Sequence, residues 1–142
     1  MRHLLRIDTS ARTEASHSRA LGDYLVECMQ AHAKELIVRT RDLVEEPVEQ
    51  IHQSTITGFY TPEDQMTDEL RAVTALSDKL IGEVQSADTI LITVPMYNFS
   101  VPSALKAWID QVVRINRTFS YEDGQFAGLV GANKAYVCCA YG

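Results

Sequence analysis

Strand-like apolar runs alternate along this chain with helix-like segments, and that alternation restricts its fold more than any other feature. The runs at 3–8, 35–42, 89–94 and 134–140 are short and apolar-rich, as strands are. The third is almost uninterrupted, which is typical of a strand buried on both faces of a sheet. Strands that alternate with helices form a parallel sheet through right-handed crossovers. The sequence therefore predicts an α/β fold.

The helices are predicted from apolar residues spaced three and four positions apart. One such pattern runs from 18 to 32, a second from 67 to 87, and a third follows Pro102 as far as Val113. Asp123-Gly124 predicts a hairpin between 118–121 and 126–130. The long segment before the second helix, which contains Pro47, is predicted as an acidic connection.

Composition argues against several classes of partner. The net charge is −6, so the chain as a whole does not attract nucleic acid or anionic membranes. No apolar run approaches the roughly 18 residues of a membrane span. The histidines and cysteines have no metal-ligand spacing, and no metal is expected. Three cysteines without a CxxC motif favour a reducing, cytoplasmic location, and two of them are interpreted as core residues: Cys138 and Cys139.

The loop at 9–18 is rich in hydroxyl groups and contains the guanidiniums of Arg12 and Arg19. It has neither the GxGxxG nor the GxxxxGK[ST] pattern, but it leads into a helix N-terminus, where unpaired N–H groups favour a phosphate. The alternative is that these hydroxyls only cap the helix and close the turn. In parallel α/β sheets ligands bind beyond the carboxyl ends of the strands, where this loop lies.

The second candidate loop reads Pro95-Met-Tyr-Asn-Phe-Ser and follows the most apolar strand. A thioether and two aromatic rings at the end of a buried strand suit a flat apolar ligand, although they could instead form a plug over the core. Taken together, the two loops suit an elongated ligand with a phosphate at one end. FMN is such a ligand, and a mononucleotide is the weaker candidate.

Four segments resemble the FMN-dependent NADH-azoreductases, also described as quinone reductases: Ser10-x5-Ser16-His-Ser18, Pro95-Met-Tyr-Asn-Phe99, Ser103-x-Leu-Lys106 and Thr118-Phe-x-Tyr121. The resemblance extends over all 142 residues. It implies one flavodoxin-like FMN-binding domain over 1–142, a three-layer α/β/α sandwich with strand order 2-1-3-4-5. Family members are longer, so the fifth strand and last helices are expected to be missing and the chain to be truncated at its C-terminus. A chain of this length is then expected to be unstable or prone to aggregate.

The resemblance also implies a set of cofactor-binding residues. Those expected around the phosphate are Ser10, Ser16, His17 and Ser18. Those expected along the isoalloxazine are Met96, Tyr97, Asn98 and Phe99. Those expected in the third loop are Ala140, Tyr141 and Gly142, where Ala140 lacks the hydroxyl that the family commonly has. Tyr121 and Phe119 are the candidates to line the substrate opening, and no protein acid or base is assigned because the flavin carries the chemistry.

The function implied is a two-electron transfer from NADH through FMN to a quinone or azo compound. The resemblance implies a ping-pong reaction in a homodimer, with no nucleic acid or membrane as partner. Two alternatives stay open at this stage: a flavodoxin-like carrier of single electrons, and an inactive fragment that binds no cofactor.

Overall fold

Four parallel strands form the sheet around which the chain folds in the computed structural model, which describes residues 2–141. The elements in chain order are β1 (His3–Asp8), α1 (His17–His32), β2 (Ile37–Asp42), α2 (Gln53–Tyr60), α3 (Asp68–Gln85), β3 (Thr89–Pro95), α4 (Ser103–Val112), β4 (Phe119–Glu122), β5 (Gln125–Gly128) and β6 (Lys134–Ala140). A short 3₁₀ turn at Glu63–Gln65 joins α2 to α3.

The order of the strands in the sheet is β2-β1-β3-β6, and every neighbouring pair is parallel. Strands β1 and β3 lie in the middle, which explains why their residues are the most apolar: Ile7 and Leu91 have no exposed surface. Within residues 2–141 this order reproduces the first four positions of the predicted 2-1-3-4-5 arrangement. The fifth strand of the prediction has no counterpart in the part of the chain that is described.

Helices cover both faces of the sheet and create two apolar clusters. On one face, Leu5 and Ile7 of β1 pack with Leu80 and Val84 of α3 and with Trp108 of α4. On the other face, the residues packed with α1 are Leu4, Leu36, Leu91 and Cys138. The layers are therefore helix, sheet and helix. No helix of the described chain is long and apolar enough to cross a membrane.

Helix α2 is absent from the sequence prediction, which gave the whole segment as a connection. Its apolar residues do not reveal it, because Ile56 and Tyr60 are exposed. The helix instead packs through Gly58, where a Cβ atom would lie 2.5 Å from Cγ2 of Thr74 in α3. A helix of eight residues depends on such tertiary contact, and a close approach at glycine leaves no apolar stripe in the sequence.

The predicted hairpin is confirmed as β4 and β5, which pair antiparallel around Asp123 and Gly124, both with positive φ. The interpretation of Cys138 and Cys139 as core residues is correct for the first and wrong for the second. Cys138 is buried, and its burial raises the pKa of its thiol. Cys139 is exposed, because successive side chains of β6 project to opposite faces and, among the described residues, the helix packed against β6 is α1, on the Cys138 side.

Candidate cofactor site

A cavity of about 610 Å³ opens at the carboxyl ends of β1, β3 and β6. Its volume lies within the range of about 300–1,000 Å³ that is usual for small-molecule sites. Three segments line it, and their residues are Ser10, Arg12, Ala15, Ser16, His17, Ser18, Pro95, Met96, Tyr97, Cys139, Ala140 and Tyr141. The loops that the sequence singled out therefore meet at one edge of the sheet.

The N-terminus of α1 forms one end of this cavity. The Ser16 hydroxyl caps the helix by accepting the Arg19 N–H at 3.4 Å, and it lies 3.3 Å from the Ser18 hydroxyl. Within residues 2–141 the N–H groups of His17 and Ser18 have no hydrogen-bond acceptor. The first turn of α1 contains no acidic residue, so the positive end of the helix dipole is not neutralised locally. This end is suited to an anion.

The two guanidiniums of the first loop have different environments. Arg12 is exposed and lines the cavity. Arg19 turns away beneath the loop, where its Nη2 donates to the Ser10 carbonyl at 2.9 Å and to Oδ1 of Asp42 at 3.0 Å, while its Nη1 lies 3.5 Å from Oδ2 of Asp8. The hydrogen bond with Arg19 lowers the pKa of Asp42 and raises that of Arg19. The positive charge available to a ligand is therefore that of Arg12.

A tight turn after β3 forms the second side. The N–H of Tyr97 donates to the Ser100 carbonyl at 3.0 Å and the reverse bond has the same length, while Asn98 and Phe99 have φ of 51° and 60°. Positive φ at both central residues turns the chain back on itself, and neither Asn98 nor Phe99 lines the cavity. The Tyr97 hydroxyl reaches across to the first loop and accepts the Ala11 N–H at 3.1 Å.

The end of β6 completes the third side. The Met96 N–H donates to the Ala140 carbonyl at 2.9 Å, so the turn after β3 is tied to the last described strand. The wall here is apolar apart from the Cys139 thiol and the exposed Tyr141 ring. Gly142, which the sequence placed in this loop, lies outside the described residues.

The structure brings most of the predicted cofactor residues to one cavity: Ser10, Ser16, His17, Ser18, Met96, Tyr97, Ala140 and Tyr141. Two other predicted cofactor residues, Asn98 and Phe99, lie at the turn and away from the lining, and the two candidates for the substrate opening, Phe119 and Tyr121, lie on the hairpin. The sequence analysis gave no site role to Ala15 and Cys139, and it noted Arg12 and Pro95 only as members of the two candidate loops. Their position beside the motif residues was the available signal. What each residue does with a ligand stays a prediction.

The lining suits FMN. One end offers two serine hydroxyls, free N–H groups and the Arg12 guanidinium, all of which can donate to phosphate oxygens. The opposite end offers the apolar surface of Pro95 and Met96 to a ring system. No carboxylate lines the cavity among residues 2–141, so nothing described there repels a phosphate.

Comparison with known proteins identifies the family of this chain. The profile of the flavodoxin-like fold family matches residues 2–142. A relative from Xanthobacter autotrophicus, called FMN-dependent NADH:quinone oxidoreductase, is 57% identical over 142 residues, which are 100% of this chain and 68% of the relative. A relative of the same name from Nostoc punctiforme is 42% identical, over 100% of this chain and 69% of its own length. The chain belongs to the family of FMN-dependent NADH:quinone oxidoreductases.

Solved structures of azoreductases have the same fold as this member of the oxidoreductase family. An azoreductase from Bacillus anthracis strain Sterne superposes with a TM-score of 0.86 at 24% identity, covering 96% of this chain and 67% of the other. An FMN-dependent NADH-azoreductase from the Bacillus anthracis strain Ames Ancestor, in complex with FMN, superposes with a TM-score of 0.79 at 21% identity, covering 96% of this chain and 68% of the other. The flavodoxin-like fold class and the family resemblance predicted from the motifs are both confirmed. The chain spans about two thirds of the length of these proteins.

Proposed function

We propose that this chain forms the FMN-binding part of an oxidoreductase that transfers two electrons from NADH to a quinone or azo compound by a ping-pong reaction. The observation that carries the proposal is the single cavity that joins an anion-binding helix N-terminus to an apolar wall at the edge of a parallel sheet. The names of the relatives support the same activity.

The first loop and α1 hold the phosphate in this proposal. The hydroxyls of Ser16 and Ser18 and the N–H groups at the start of α1 donate to phosphate oxygens, and Ser10 lies beside them. The Arg12 guanidinium balances the charge from the open side. His17 exposes its ring at the same end.

The turn after β3 orients the ring system. Met96 and Pro95 exclude water from one side of the cavity, and main-chain groups of the 95–99 segment are available to the polar edge of a ring. Bound there, FMN would supply the two-electron redox chemistry between NADH and the acceptor. The protein supplies binding and orientation, and we assign no acid or base to it.

The proposal extends to substrate and assembly. Three aromatic rings pack together on the exposed hairpin: the ring centroid of Phe126 lies 5.9 Å from that of Phe119 and 4.6 Å from that of Tyr121. This cluster supports a role at the substrate opening or a subunit contact. We therefore propose a homodimer built from one FMN-binding domain per chain, with no nucleic acid or membrane as partner. Three unpaired cysteines in the described chain support a cytoplasmic location.

Binding and turnover should be measured separately, because the chain spans two thirds of its relatives. Quenching of flavin fluorescence on titration with the 142-residue chain measures FMN binding, and gel filtration measures its oligomeric state. NADH oxidation, followed by the loss of NADH absorbance, is then recorded with and without a benzoquinone. We expect one FMN per chain and quinone-dependent oxidation of NADH. Bound FMN without turnover would favour an electron carrier, and absence of FMN binding would reject the proposal.

A further inference from the structure

Beneath the first loop, the Arg19 guanidinium connects α1 with three other parts of the fold. It donates to the Ser10 carbonyl in the loop and to Asp42 at the end of β2, and it lies beside Asp8 at the end of β1. Its own backbone N–H donates to Ser16, the N-cap of α1. Only 12% of the side chain is exposed, so these contacts are made largely out of water.

We propose that Arg19 is a positioning residue that fixes the phosphate cradle from below and thereby sets the preference of this site for FMN over a flavin without a phosphate. The inference rests on the proposed function, because it requires the cavity to hold FMN. It gives Arg19 a different role from Arg12, although the two guanidiniums are seven residues apart in the same segment.

Direct attraction of the phosphate by Arg19 is a poor explanation of its place. The guanidinium lies against the carboxylates of Asp42 and Asp8, which offset its charge, and Arg19 is absent from the residues that line the cavity. Its two terminal nitrogens are already engaged with the protein. A charge paired in this way contributes little net field at the ligand.

Positioning explains the contacts better. Ser10 lines the cavity, and the bond from Arg19 to its carbonyl fixes where the loop leaves β1. Arg6 fixes the opposite side of the same structure, because its Nη2 donates to the Arg19 carbonyl at 3.2 Å in the first turn of α1. The loop and the helix N-terminus are thus held in register from beneath. The guanidinium spreads its donors over three nitrogens in a rigid plane, whereas the donors of a lysine all lie on one nitrogen and cannot reach acceptors this far apart in the same geometry.

The test compares the dissociation constants of FMN and riboflavin, measured by fluorescence quenching in wild type and variants. In Arg19→Met and Arg19→Lys we expect the FMN preference to fall about tenfold, the effect of weakening one hydrogen bond to a charged group. The affinity for riboflavin should stay within about twofold, because the apolar wall is unchanged. Far-UV circular dichroism checks that each variant is folded.

Asp42→Asn separates the two explanations by sign. If Arg19 attracted the phosphate directly, removing the neighbouring negative charge would tighten FMN binding. If Arg19 positions the loop, the weaker contact between Arg19 and residue 42 should weaken FMN binding. This substitution keeps an acceptor oxygen and is milder than Arg19→Met, so it tests the inference even if the methionine variant does not fold.

Arg41→Met provides the matched control. Arg41 is also largely buried in a charge pair, but it binds Glu83 of α3 on the other face of the sheet. It should lower stability without changing the ratio of FMN to riboflavin affinity. An unchanged ratio in both Arg19 variants, or tighter FMN binding in Asp42→Asn, would overturn the inference. If wild type binds riboflavin as tightly as FMN, or binds neither flavin, the phosphate site of the proposed function is wrong, and this result is distinct from a failure of the Arg19 inference.

Discussion

The two ends of the cavity are built on opposite principles. At the phosphate end, Ser10 and Ser18 are each only 1% exposed and sit over a buried network of charges. At the apolar end, Met96 is 40% exposed, and Phe99, in the adjoining turn but outside the lining, is 94% exposed. The first end is arranged by the fold before any ligand arrives, whereas the second presents apolar surface that a ligand or a partner must cover.

The buried end is held by bonds between neighbouring strands. The Thr9 hydroxyl donates to the Thr93 carbonyl at 2.7 Å, and the Thr93 hydroxyl donates to Asp8 at 2.8 Å. Each of these two hydroxyls has an acceptor, which is what burial demands. We therefore expect changes at this end to act on both stability and phosphate binding, and changes at the exposed end to act mainly on the ring system.

The largest expected effect is on FMN affinity in the double variant Ser16→Ala with Ser18→Ala. Each lost hydrogen bond to a charged phosphate should weaken binding by about 1.5–3 kcal/mol. The loss of the N-cap should cost roughly 1 kcal/mol of stability, which leaves the domain folded. Thr13→Ala is the control, because Thr13 is an exposed loop hydroxyl that does not line the cavity. Equal FMN affinity in the double variant and wild type would remove the phosphate site from this loop.

A smaller effect is expected where α1 rests on the sheet. A Cβ atom at Gly22 would lie 2.5 Å from Cγ2 of Thr93, whose side chain is buried and hydrogen-bonded. Gly22→Ala should therefore destabilise the protein by about 1–3 kcal/mol in urea denaturation. Gly82 in α3 has nothing within 4 Å of its Cβ position, so Gly82→Ala should stabilise by about 0.5–1 kcal/mol. If Gly22→Ala and Gly82→Ala changed the free energy of unfolding in the same direction, this difference between the two helices would be contradicted.

The contrast between these helices also shows what the sequence could predict. The strands, α1, α3 and α4 follow from apolar periodicity, because their packing partners lie across a sheet. Helix α2 does not follow, since it docks through Gly58 against Thr74. The loops were predictable as a site from their composition. That Arg12 faces the cavity and Arg19 faces Asp42 could not be predicted, because it depends on where β2 ends beside β1.

Acid should expose the contribution of Asp42 at the buried end. Its hydrogen bond with Arg19 lowers the pKa of Asp42 in the folded protein, so its stabilisation is fully present above the ordinary pKa and disappears as the pH falls through the lowered one. The difference in unfolding free energy between wild type and Asp42→Asn should be constant above about pH 5 and shrink below about pH 4. A difference independent of pH down to the acid transition would show that the carboxylate charge is not what matters.

The smallest expected effect lies at the exposed end. Phe99 has φ of 60° yet is 94% exposed, so removing its ring should hardly alter the stability of the free chain. Phe99→Ala keeps the left-handed backbone penalty and Phe99→Gly relieves it, so the glycine variant should be the more stable by up to about 1 kcal/mol. With FMN bound, both variants should keep the visible flavin spectrum of wild type, because Phe99 does not line the cavity. A changed spectrum in both would show that the ring contacts the ligand or its environment, and the turn would then act through this side chain as well as through its backbone.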